Sequence, residues 1–150
     1  MSSVNLKDEK LVRLLGQDAR QNSETLAKKL KLSSATVRRR LRRLLQSDSL
    51  RIIGVVNPRD FGLPVAVVIA LDIAHDKLES AVRTLAKRSE ITWAAITTGR
   101  FDMLVLAWFP STDSLSNFLT KELAQIEGVR DSETLICLDV KKGRYTPLTG

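Results

Sequence analysis

The chain is poor in the residues from which most active sites are built. Among its 150 residues there is one cysteine, Cys137, and one histidine, His75, and aromatic residues make up 5% of the whole. A single cysteine allows neither an intramolecular disulfide nor a thiolate cluster, which predicts a reducing, cytoplasmic compartment. No apolar run approaches the roughly 20 residues of a membrane span, and MSSVNLKDEK at the start has no signal-like apolar core. The sequence holds no metal-ligand spacing, no nucleophile paired with a base and no phosphate-binding glycine loop, so neither an enzyme nor a cofactor is expected.

A more local absence carries more information. No Asp or Glu occurs from Ser33 to Ser47, a stretch that packs five arginines into six positions, Arg38 to Arg40 and Arg42 to Arg43, broken by Leu41. The formal charge of +7 follows the same asymmetry. Residues 1–60 hold 14 Lys and Arg against 6 Asp and Glu, while residues 61–150 hold 10 against 11. The basic excess therefore lies in one part of the chain, which predicts two units with different partners.

The basic part shows three successive helical patterns. Leu6, Leu11, Leu14 and Leu15 mark the first, ending near Gly16. A second runs from a cap at Ser23 through Leu26, Ala27 and Leu30. A third opens with Ser33 or Ser34 as its cap and places Val37, Leu41 and Leu44 on one stripe. Two short helices joined by a tight turn after a first helix is the order of a helix-turn-helix domain.

On a helical wheel Arg39, Arg42 and Arg43 point away from the apolar stripe of the third helix, with Ala35 and Thr36 on the same outer side and Arg38 at its boundary. Arg40 falls on the other boundary, where its stem packs and its head pairs with an acid of an earlier helix. A helix face built for stability mixes signs, whereas this one has no compensating i,i+4 pairs and repels itself. It is read as a surface for double-stranded DNA: Ser34, Ala35 and Thr36 let the helix start approach base edges, and Arg38, Arg39, Arg42 and Arg43 reach phosphates or guanine. A membrane-surface helix would instead need large apolar residues that this domain uses in its core, so no membrane is expected.

Ile52, Ile53, Val55 and Val56 predict a strand, the wing of a winged helix and the hinge to the second unit. Beyond them, strands are predicted over 65–73, 91–98, 102–109 and 134–140, and helices over 76–90 and 111–128, with Gly128 as the stop of the second. The order β-α-β-β-α-β is that of a ferredoxin-like sandwich. The fold class is therefore α+β: a winged helix-turn-helix over 1–50, a wing strand and linker over 51–64, and a ferredoxin-like domain over 65–150. Both helices of such a sandwich cover one face, so strands apolar on both faces need a second cover, and a homodimer packed sheet to sheet supplies it. Trp93, Trp108 and Phe118 are assigned to core or interface.

LAKKLKLS at 26–33, the Val37 and Arg40 pair, NP at 57–58, TGRFD at 98–102 and EGV at 127–129 occur in this order, and together the chain resembles the Lrp/AsnC family of feast/famine transcription regulators. The resemblance spans about Leu6 to Lys142. It implies that the third helix enters the major groove, that dimers, often assembled further into octamers, bind promoter DNA, and that the C-terminal domain binds a small effector, usually an amino acid. It places the effector at Thr98, Gly99, Arg100, Phe101 and Asp102. Gly99 would expose amides to a carboxylate and Asp102 would meet an amino group, although both are also ordinary turn residues. Asp48 departs from the pattern, since the family usually has Gly there. Two other functions are compatible with part of this pattern: a weakly specific architectural DNA-binding protein, and a sirohaem decarboxylase, which needs histidines or similar groups around a tetrapyrrole, whereas the one histidine here is His75, in an expected loop.

Overall fold

The computed structural model describes residues 5–143 and 145–147. The chain divides into two compact units, Met1–Ile53 and Gly54–Gly150.

The first unit is helical, with α1 (Leu6–Gln17), α2 (Ser23–Leu30) and α3 (Ser34–Gln46). Each start is fixed by a side chain that accepts a backbone N–H otherwise left without a partner. Asn5 caps α1 through Lys7, 2.9 Å, and Ser33 caps α3 through Thr36, 3.2 Å. The cap of α2 is Asn22, which accepts the Thr25 amide at 2.8 Å, one residue before the expected Ser23. Between α2 and α3 the chain turns on Lys31, in the left-handed region at φ 54°. Leu11, Leu15, Leu26, Ala27, Val37 and Leu44 are buried together, with Leu30, Leu32, Leu41 and Leu50 packed against them. Asp48, where the sequence departs from the family pattern, takes φ 54° just after α3 and is held by Arg51 at 2.7 Å, so the aspartate does adopt the left-handed turn.

The expected wing strand does not form. Residues 51–55 have no ladder, and Val56 makes an isolated bridge to Thr146, each amide donating to the other's carbonyl at 3.0 Å. Ile52, Ile53 and Val55 stay about half exposed. β-branched side chains suit a pleated surface but do not create one, and no other strand of the described residues runs beside this segment.

The second unit is a four-stranded antiparallel sheet in the order β2-β3-β1-β4, from β1 (Val65–Ile73), β2 (Ile91–Ile96), β3 (Met103–Phe109) and β4 (Val129–Ile136). Val67, Ile69, Leu71 and Ile73 of β1 and Met103, Val105, Ala107 and Phe109 of β3 face the helices. There they bury Ala81 and Leu85 of α4 (Leu78–Leu85), and Leu115 of α5 (Thr112–Asn117) with Phe118 and Leu123 beyond it. The βαββαβ order is as expected, but its boundaries differ.

α4 is shorter than 76–90: a 3₁₀ turn (His75–Lys77) precedes it, and it ends at the buried Leu85, with five residues between it and β2. The second helix is not one α-helix: α5 passes into a π-turn (Phe118–Glu122) and a 3₁₀ turn (Leu123–Gln125), which together bury both Phe118 and Leu123. β4 begins five residues before the expected 134, and Ile136 is its last residue. Its pairing with β1 selects the polar stretch VRDSETLI, while Leu138, in the apolar run that suggested a later strand, is 92% exposed.

Candidate functional site

α3 carries its arginines in three environments. The Arg40 head donates to Asp8 Oδ1 of α1 at 2.8 Å, as the wheel required. Arg43, expected to point freely outward, also donates to Asp8, through Nη2 to Oδ2. Asp8 is fully buried, while the side chains of Arg40 and Arg43 are 19% and 61% exposed. Burial by itself would raise the Asp8 carboxyl, but the Arg40 hydrogen bond and the charges of Arg43 and Arg40 outweigh it and hold the group below the ordinary carboxylate range. Arg38, Arg39 and Arg42 are exposed and have no carboxylate within salt-bridge distance among the described residues. Ala35 is exposed beside the half-buried Ser34 and Thr36, and the Thr36 hydroxyl lies 2.9 Å from that of Ser33. The start of α3 is therefore small and open, and its outer face is positive and uncompensated.

Strands over 91–98 and 102–109 would leave a tight three-residue turn, Gly99 to Phe101, but β2 ends at Ile96 and β3 begins at Met103, so the connection is longer. The Thr97 amide donates to the Asp102 carbonyl at 2.9 Å and the Thr97 hydroxyl to the Phe101 carbonyl at 2.8 Å, which closes a loop that leaves Thr98, Gly99 and Arg100 exposed. Gly99 sits at φ 108°, a conformation that favours glycine. The Arg100 guanidinium lies 4.8 Å from the centre of the Phe101 ring and 3.8 Å from Glu133 on β4. Asp102 has a structural bond that the sequence did not announce: its Oδ2 accepts the Ile73 amide at 2.8 Å, and its own amide donates to Leu71. The loop is thereby anchored to the end of β1, and one carboxylate oxygen of Asp102 is already engaged.

Residues 6–45 match the model of the AsnC-type helix-turn-helix domain, and residues 66–147 match that of the Lrp/AsnC ligand binding domain. The chain belongs to the Lrp/AsnC family of transcriptional regulators. An HTH-type transcriptional regulator of Pyrococcus abyssi is 30% identical over 139 residues, covering 92% of this chain and 88% of the relative. Among solved structures, AsnC of Escherichia coli superposes with a TM-score of 0.83 at 25% identity, over 92% of this chain and 94% of that one. A transcriptional regulator of Neisseria meningitidis solved in complex with L-Met gives 0.85 at 23% identity, over 99% and 97%. This Lrp/AsnC member thus pairs a helix-turn-helix DNA-binding domain with a ligand-binding domain, and its two structural units correspond to the two matched segments.

The residues that sequence reasoning did not name are Asp8 and Glu133. Asp8 had a signal, since it lies in the first turn of α1 on the side that must meet Arg40. Glu133 had none, because its approach to Arg100 depends on the β1–β4 register that puts Glu133 opposite Ala70.

Proposed function

We propose that this protein is a sequence-specific regulator that reads double-stranded DNA through the start and outer face of α3. Ser34, Ala35 and Thr36 lie against base edges, Arg38, Arg39 and Arg42 contact phosphate or guanine, and Arg43 lies at the end of the same face. The observation that carries this reading is the set of exposed arginines that have no carboxylate partner among the described residues, on a helix whose apolar stripe is buried at Val37 and Leu44 and half-buried at Leu41. Phosphate neutralisation releases counterions, so such a face binds polyanions steeply and in a salt-dependent way. Residues 51–64 serve as the linker, and action in the cytoplasm follows from the same reading. Among the described residues no helix is long and apolar enough to cross a membrane.

The working form is a homodimer. On the sheet face opposite the helices lie Val68, Leu104, Leu106, Trp93 and Leu135, with Trp93 and Leu135 each more than half exposed. A second copy covers this apolar surface and gives the helix-turn-helix its two-fold partner, with half-sites about 34 Å apart or a multiple. Further assembly to an octamer belongs to the same proposal. An amino-acid effector is proposed at Thr98 to Asp102. The exposed amides around Gly99 suit a carboxylate, and the Arg100 charge favours an acidic ligand.

Fluorescence anisotropy with duplexes from the gene's own upstream region and random duplexes of equal length, across a salt series, tests the central claim. Tighter binding to the upstream duplex by roughly a thousandfold supports a specific regulator. Equal binding to both supports an architectural role. No binding to either removes the DNA reading of α3. Isothermal titration with the twenty amino acids tests the effector turn, and no heat from any of them leaves Gly99 and Asp102 as turn formers only.

A further inference from the structure

Of the five arginines of α3, Arg40 is an internal strut, with its head on Asp8 and its Nε buried without a hydrogen-bond partner among the described residues. Arg43 differs from it in one respect that matters: it shares Asp8, yet most of its side chain remains in solvent. A guanidinium is planar and carries five N–H donors in a fixed fork. Asp8 accepts from Nη2, which leaves the other donors of Arg43 for an outside acceptor.

We propose that Asp8 is a positioning residue for DNA binding, holding the Arg43 guanidinium by its inner edge so that its outer edge is presented to a backbone phosphate. The claim rests on the DNA-binding reading of α3 and assigns to a buried residue of α1 a part in it. The charges allow it, since one carboxylate shared by two guanidinium groups leaves the trio at +1. Position favours phosphate over base, because recognition helices meet base edges from their N-terminal part. Arg43 stands in the last turn of α3. The gain is preorganisation: an arginine side chain fixed before the duplex arrives loses less rotamer freedom on binding. Lysine cannot substitute, because a single ammonium on a flexible stem has no planar fork to bridge a carboxylate and a phosphate.

The test uses the full-length protein and anisotropy over a salt series. In the wild-type background Arg43→Gln is expected to make the log–log salt slope shallower by about 0.9, one phosphate's worth, and to weaken binding roughly tenfold at low salt. Arg40→Gln, in a protein that remains folded, leaves the slope unchanged. In an Asp8→Asn background Arg43→Gln should cost less than half as much on the logarithmic scale. A slope unchanged by Arg43→Gln in the wild-type background overturns the proposal, and so does an equal cost in both backgrounds.

Should Asp8→Asn fail to fold, Arg43→Lys decides, with Asp8 left in place. It should bind at least about threefold more weakly than wild type although the charge is kept. Wild-type affinity in Arg43→Lys overturns the bridge. Failure of the wild-type protein to bind any duplex would defeat the DNA reading itself, and this role of Asp8 with it.

Discussion

The Asp8 carboxylate of α1 is completely buried and receives the Arg40 head of α3 at 2.8 Å across 32 residues of sequence. This pair ties the first helix to the third. Removing one member of a buried pair strands the other charge, at a cost of about 3–5 kcal/mol, which is large for a small helical unit. Asp8→Ala should therefore destabilise the first unit strongly while the second keeps its stability. Urea melts followed by far-UV circular dichroism would show an early loss of helix ahead of the main transition. Arg43→Ala, whose partner keeps Arg40 and whose own side chain is mostly exposed, should cost less than about 1 kcal/mol. Equal effects of the two substitutions would contradict this ranking.

The same carboxylate sets an acid limit. Its folded-state value is depressed below the ordinary 3.8, so the unfolded chain takes up the proton first as pH falls. The stability it contributes is full well above pH 3.8 and is lost as pH drops past 3.8 and through the folded value. The midpoint of the first unit should fall over that window in the wild-type protein, and the Asp8 share of the fall should vanish in Asp8→Asn. An unchanged acid profile in that variant would assign the loss to other carboxylates.

Gly128 tests the junction between the second helical segment and β4. It sits at φ 97°, and a Cβ there would lie 2.3 Å from the Lys77 Cβ. Its carbonyl also accepts the Ala74 amide at 2.8 Å, which ties the junction to the end of β1. Gly128→Ala combines backbone strain with a contact that the protein must move apart to relieve, and should destabilise the second unit by about 2–4 kcal/mol. A thermal melt of the variant gives the answer, and a shift near zero would mean that the turn relaxes freely.

What was legible in the sequence was whatever a single element's pattern decides. The apolar stripe of α3 at Val37, Leu41 and Leu44 fixed which way Arg40 must turn, and the near-continuous apolar runs of β1 and β3 marked a sheet with two apolar faces. Strand ends were legible only where composition and pairing agree. In β4 they disagree: the ladder with β1 takes Val129 to Ile136, and apolar content pointed several residues later. The wing was misjudged for the same reason, since Ile52, Ile53 and Val55 have strand-like side chains and no ladder partner. At the candidate sites, residue types were visible but their engagements were not. Asp102 bonding Ile73, Arg100 standing over Phe101 and Arg43 reaching Asp8 all join residues through the tertiary fold or through rotamers, which spacing does not encode.

The uncovered sheet face supplies the last prediction. Direct pairing puts Trp93 beside Leu106 and Leu135 beside Val68, so these four side chains project from the face away from the helices. Trp93 is 52% exposed, and burying such rings is among the strongest single contributions to an interface. A charge at its centre should cost association without touching the core, because Phe109, Phe118 and their neighbours lie on the opposite face. Trp93→Asp is therefore expected to sediment as a monomer at micromolar concentration and to keep the wild-type circular dichroism, with the wild-type protein expected to sediment as a dimer or larger. Its affinity for a two-half-site duplex should fall further than its affinity for a single half-site, since only the former depends on two helix-turn-helix units joined in one particle. A wild-type monomer at that concentration would defeat the sheet-to-sheet dimer, and an unchanged assembly in Trp93→Asp would move the interface elsewhere.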